Sequence, residues 1–142
     1  MSMEYTNKII TRKETICRYR LSTIRTRASA VFWFVNLIGL DGVEVKSVDL
    51  FTGDHRFGEG HNHLSISQFH HNDRMAEMLI DYDPDNISAQ MEYQGKRFTI
   101  GIDLESFGIF TIISNQEETD RETEEMIGSL MDQACLLTEA DS

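Results

Sequence analysis

All five histidines of the chain lie within one 17-residue window, residues 55–71. Three acidic residues lie in or beside the same window: Asp54, Glu59 and Asp73. Imidazole and carboxylate are the ligand types that Zn²⁺ and related ions use in proteins. The chemistry that this window could perform is therefore metal binding, with metal-dependent hydrolysis as its catalytic form.

His61 and His63 are the strongest pair, because alternate residues of an extended strand lie on one face, about 6.5–7 Å apart at Cα. We predict His61, His63 and His71 as the metal ligands, with Asp54 or Glu59 as alternatives to His71. Zinc held by three protein ligands would keep one position for a water that supplies a hydroxide nucleophile. The opposing interpretation is a polar surface loop, because the chain has no HExxH motif.

Two arginines near the N-terminus form a second candidate site. Arg18 and Arg20 are separated by one residue, so they project from one face of a predicted strand. The planar guanidinium suits phosphate and carboxylate groups, which predicts a site for a small anionic ligand. The alternative is charge neutralisation within the protein, because the chain has 24 acidic and only 13 basic residues.

A third candidate is a run of acidic residues at 117–125. On a helix, residues three or four positions apart share a face, so these carboxylates form a dense negative surface. We predict contact with a basic partner surface through four of them: Glu117, Glu118, Glu122 and Glu125. The alternative is a solvated helix start favoured by the helix dipole, which accounts for the first turn only.

The net charge of −11 is unevenly distributed. Residues 1–30 contain seven basic and two acidic residues, whereas residues 31–142 contain six basic and 22 acidic ones. An acidic surface repels phosphate backbones, so we expect no direct nucleic-acid binding and a basic-surfaced protein as the partner. The oligomeric state is left open.

The composition, 40% hydrophobic and 26% charged, is typical of a globular protein. The longest apolar run covers residues 30–40, which is shorter than the roughly 20 residues that span a bilayer. No signal peptide is recognisable, and the two cysteines have neither metal nor disulfide spacing. We therefore expect a single domain, residues 1–142, in the cytoplasm and without membrane attachment.

The strands that would position these residues are predicted from turns and alternation. Asp41-Gly42 favours a type I′ turn and predicts a hairpin over residues 30–50. Gln94-Gly95 predicts a second hairpin, in which three apolar pairs share one face and one charged pair lies on the other. The pairs are Met91 with Phe98, Ala89 with Ile100, Ile87 with Ile102, and Glu92 with Arg97. Further strands are predicted at 15–23, 63–70 and 107–114.

Two helices are predicted. The first follows Asn72 as its N-cap and ends before Pro84. The second opens with Ser114 and Glu117 in capping-box spacing. Its apolar stripe is Met126, Ile127, Leu130, Met131, Ala134 and Leu137. Together the elements predict an α+β fold: an antiparallel sheet of about six or seven strands, a short middle helix and a long C-terminal amphipathic helix.

On these grounds we expect a small acidic protein that acts by binding another protein, as inhibitors, immunity proteins, anti-defence proteins and chaperones do. A non-enzymatic role is favoured, because no nucleophile elbow, P-loop or dinucleotide fingerprint is present. No cofactor is expected in that role. The first alternative is a metal-dependent hydrolase with Zn²⁺ in the histidine window, and the second is an anionic-ligand binder that uses Arg18 and Arg20.

Overall fold

The computed structural model describes residues 3–10, 14–21, 24–52, 61–64, 74–114 and 121–140. These residues form one antiparallel sheet in the order β1-β2-β7-β6-β5-β3-β4, together with three helices. The strands are β1 (Met3–Ile10), β2 (Glu14–Leu21), β3 (Glu44–Phe51), β4 (His61–Leu64), β5 (Asn86–Tyr93), β6 (Lys96–Asp103) and β7 (Gly108–Ser114). The helices are α1 (Arg27–Ile38), α2 (Met75–Tyr82) and α3 (Arg121–Ala140). None of the described helices is both long and apolar enough to cross a membrane.

The sheet has two different faces, because successive residues of a strand alternate between them. Val48, Ala89 and Ile100 lie side by side on β3, β5 and β6 and are at most 1% exposed. They belong to one hydrophobic core with residues of all three helices, so we call this side the helix face. The opposite side, which we call the polar face, includes Asp49 and Ser88.

Helix α1 lies at the centre of the helical layer. It begins after Thr26, whose Oγ1 accepts a hydrogen bond from the backbone N–H of Ser29 at 3.1 Å. The indole Nε1 of Trp33 donates to the backbone oxygen of Met131 on α3 at 3.4 Å. Six of its twelve residues are buried: Ala30, Val31, Trp33, Phe34, Leu37 and Ile38. Burial over such a wide arc is typical of a helix enclosed by other elements.

The α+β class is confirmed, but the predicted architecture is wrong. Residues 30–38, predicted as part of the first strand of a hairpin, form most of α1, so the described residues contain three helices rather than the predicted two. A short run that is apolar on every side fits a buried strand and a buried helix equally well, so periodicity could not distinguish them.

The Gln94-Gly95 hairpin is confirmed in its full register. Between β5 and β6, Met91 pairs with Phe98 and Glu92 pairs with Arg97, as predicted. Gln94 and Gly95 have φ angles of 51° and 79°, the positive values that a type I′ turn needs. The predicted strands at 15–23 and 107–114 correspond to β2 and β7, and β7 lies between β2 and β6 in the sheet.

Of the other predicted element boundaries, one is wrong, one is right and the rest lie outside the described residues. Ser114 is the last residue of β7, where it pairs with Glu14, so its prediction as a helix N-cap is wrong. Asn72 and Glu117 lie outside the described residues, as do residues 65–70 of the strand predicted at 63–70. Helix α2 ends as predicted before Pro84, because Asp83 adopts a left-handed conformation with φ of 55°.

The predicted apolar stripe of α3 is only partly right. Ile127, Leu130, Met131 and Ala134 are buried, but Leu137 is 45% exposed. Thr138 is buried in its place, since its Oγ1 donates to the Ala134 carbonyl at 2.7 Å and accepts from Asn36 Nδ2 at 3.1 Å. A polar contact between α1 and α3, which hydropathy does not indicate, thus joins the apolar residues on the buried side of α3.

Candidate functional site

The exposed side of α3 forms a continuous stripe that we call the outer stripe. Its members are Glu122, Glu125, Ser129, Gln133 and Leu136, all of them exposed. Their spacing of three or four residues keeps them within about 80° of the helical wheel, on the side opposite the buried residues. Of the predicted partner contacts, Glu122 and Glu125 lie on this stripe, whereas Glu117 and Glu118 lie outside the described residues.

The outer stripe changes character along its length. Its N-terminal end is acidic, and at its C-terminal end Leu136 is 66% exposed and Leu137 beside it is 45% exposed. Phe32 on α1 is also exposed and lies one turn before Asn36, the residue that bonds to Thr138. These apolar residues were missed as functional candidates. The only sequence signal was Leu136, an apolar residue at a polar position of the helical wheel.

The structure brings the two other predicted sites onto the same face of the sheet. One register row crosses six strands, and neighbours in this row share the polar face. The row runs His63, Asp49, Ser88, Gly101, Phe110, Arg18. Five strand spacings of about 4.8 Å separate its ends by about 24 Å, so the histidine and arginine candidates do not form one site.

At the β4 edge, the residue opposite His63 is Asp49, and the residue opposite His61 is Phe51. Sequence reasoning did not consider Asp49 as a ligand, because the pairing of β3 with β4 has no signal in the sequence. His71, Asp54 and Glu59, the predicted third ligands, lie outside the described residues. No group of three metal-ligating residues is found among the described side chains. The side chains of His61 and His63 are not among those described.

The polar face also contains a cross-strand ion-pair network. Lys46 Nζ lies 2.8 Å from Glu44 Oε1 and 3.5 Å from Glu92 Oε2, and Arg97 Nε lies 3.5 Å from the same Glu92 oxygen. The hydrogen bond and positive charge of Lys46 hold the pKa of Glu44 below its ordinary value. The hydrogen bond to Glu44 in turn raises the pKa of Lys46. Lys46 and Arg97 therefore neutralise the protein's own acids.

Replacing Lys46 by methionine is expected to raise the pKa of Glu44 back towards its ordinary value, because the hydrogen bond and the charge disappear together. A depressed carboxylate pKa stabilises the fold above the unfolded pKa, and this contribution is lost as the pH falls through the folded value. Carboxyl NMR titration of wild type and Lys46→Met measures the difference. Lys96→Met is the control, and an equal change in both variants would contradict the assignment.

Arg27 at the start of α1, like Lys46 and Arg97, contacts groups of the protein itself. Its Nη2 donates to the Pro84 carbonyl at 2.6 Å and lies 2.8 Å from Asp83 Oδ1, while Nη1 donates to the Leu104 carbonyl at 3.3 Å. It borders a small cavity of about 110 Å³ between α1 and α2, which Val31, Leu79 and Ile80 also line. Because its donors meet protein acceptors, we regard Arg27 as an anchor of α1.

No known protein family, curated protein or solved structure matches the chain. The outer stripe and the polar face are therefore the features from which a function can be inferred.

Proposed function

We propose that this protein acts by binding another protein, one with a basic surface, through the outer stripe of α3. The observation that supports the proposal best is the combination of exposed carboxylates and an exposed leucine on one side of one helix. Glu122 and Glu125 supply negative charge, and Leu136 is 66% exposed. Single exposed leucines are common on protein surfaces, but here the adjacent Leu137 is exposed as well.

The two ends of the stripe would contribute differently to binding. Burying a leucine side chain fully is worth about 1.5–3 kcal/mol, or roughly one to two powers of ten in affinity. Exposed ion pairs are worth only about 0–1 kcal/mol each, but charge complementarity selects partners and speeds association. Leu136 is thus the expected source of affinity, and the two glutamates are the expected source of selectivity. Inhibitor, immunity, anti-defence and chaperone-like roles are all forms of this proposal.

Reversing the charges in the double variant Glu122→Lys/Glu125→Lys is expected to weaken partner binding about tenfold, because two attractive contacts become repulsive. Both residues point away from the core, so the fold should be unchanged by circular dichroism. The immobilised wild-type protein captures the partner, mass spectrometry identifies it, and calorimetry with purified partner gives the affinity. Binding should also weaken as salt rises, since the screening length at physiological strength is about 8 Å.

The matched control is Glu77→Lys/Glu105→Lys, which makes the same change in net charge at two exposed sites off α3. A loss confined to the α3 variant places the contact on the outer stripe. Equal losses would mean that only net charge matters, and unchanged affinity in the α3 variant would remove α3 from the interface. Either result refutes the proposal.

A further inference from the structure

We propose that the β3–β4 edge of the polar face, where the register places Asp49 opposite His63 and diagonal to His61, binds a divalent transition-metal ion such as Zn²⁺. The inference is independent of the outer stripe, which belongs to a different element. It rests on the pairing of β3 with β4, which places a carboxylate residue directly opposite one residue of the His61-Asn62-His63 sequence.

The backbone register fixes how close these three residues are. His63 and Asp49 are direct partners in an antiparallel pair, so their Cα atoms are about 4.5–5.5 Å apart. His61 lies two positions along the same strand, about 6.5–7 Å from His63 at Cα, and is the diagonal neighbour of Asp49 at about 7–8 Å. Three positions on one face at these separations suit ligation of a single ion, since metal–ligand bonds of about 2 Å draw donor groups together.

The donor set specifies the class of ion. Two imidazoles and one carboxylate suit Zn²⁺ and other first-row transition metals, whereas Ca²⁺ and Mg²⁺ prefer oxygen ligands alone. Three protein donors also leave a position for water or another small ligand, as in catalytic rather than closed structural zinc sites.

The surroundings on β5 are compatible with a metal. Asp49 and its neighbour Ser88 are half-buried, as is Asn86 opposite Phe51. A hydroxyl and an amide beside a ligating carboxylate are the kinds of group that orient it through hydrogen bonds. The acidic balance of residues 31–142, with 22 acids against six bases, further favours a cation over an anion at this edge.

The test is calorimetric titration of the tag-free full chain with Zn²⁺ alone. We expect one ion per chain. Asp49→Asn and His61→Ala/His63→Ala should each weaken Zn²⁺ affinity by at least about tenfold. Removing a residue that only orients a metal ligand already costs about that much, and removing a ligand should cost more. Asp41→Asn is the matched control: it makes the same chemical change at an exposed turn and should bind like wild type. His71→Ala and Glu122→Lys/Glu125→Lys should also bind like wild type.

Melting curves of each variant without metal establish that it folds, and the visible spectrum of bound Co²⁺ gives a second readout of the ligand set. If Asp49→Asn fails to fold, a changed Co²⁺ spectrum in His63→Ala alone tests the same site. Absence of stoichiometric Zn²⁺ binding by wild type would overturn the proposal. A loss of binding in His71→Ala with none in Asp49→Asn would overturn the assignment of Asp49.

Discussion

Replacing Trp33 by alanine is expected to lower the free energy of unfolding by about 3–5 kcal/mol, the cost of truncating a large buried aromatic side chain. Trp33 is fully buried in α1, and the variant also leaves the Met131 carbonyl without its indole donor. Urea denaturation followed by circular dichroism measures the change. Fluorescence would not serve, because Trp33 is the only tryptophan of the chain.

The neighbours of Trp33 make this experiment a test of the helix itself. Phe34 is fully buried and Phe32 is 45% exposed, so Phe34→Ala should cost nearly as much as Trp33→Ala, and Phe32→Ala less than about 1 kcal/mol. In a strand, Phe32 and Phe34 would share one face, and their substitutions would have similar effects. Equal costs at these two positions would therefore contradict the helical assignment of α1.

The second large effect is expected at Arg27. Replacing it by methionine should reduce the free energy of unfolding by about 2 kcal/mol, because the Pro84 and Leu104 carbonyls lose a charged donor. The ion pair with Asp83 adds little, since the Asp83 side chain is 73% exposed.

Asp83→Asn separates the two contributions of Arg27. Asparagine tolerates the left-handed conformation of Asp83, whose φ is 55°, so this variant removes the negative charge and little else. We expect a cost below about 1 kcal/mol in the same denaturation assay. If Asp83→Asn proved as costly as Arg27→Met, the ion pair rather than the carbonyl contacts would be the anchor of α1.

The contrast between the β5–β6 hairpin and α1 indicates which parts of the fold the sequence could predict. In the hairpin, a turn dipeptide, apolar pairs on one face and a charged pair on the other all agree on one register, and each of these signals is local. In residues 30–38 the apolar side chains have no polar face to define a period. There the outcome depends on the Thr26 cap and on packing against α3, and the packing partners are about 100 residues away.

The candidate sites divide in the same way. Glu122 and Glu125 could be placed on the outside of a helix because helical spacing relates residues that are close in sequence. Asp49 lies opposite His63 because β3 pairs with β4, and the two strands are separated in sequence by an intervening segment. The sequence therefore identified the histidines as candidates but not the residue opposite them. Likewise, the shared face of Arg18 and His63 emerges only once all six strands of the row are in order.

The strand order has a consequence for the newly synthesised chain. Strand β2 pairs with β1 on one side and with β7 on the other, and Arg20 pairs with Gly108, which is synthesised 88 residues later (108 − 20). At about 5–20 residues per second, ribosomal synthesis leaves this edge without its partner for on the order of 5 to 20 s. During that interval the N-terminal hairpin offers an unpaired edge to any other extended polypeptide. We therefore expect nascent chains released before β7 to aggregate more readily than chains that include β7.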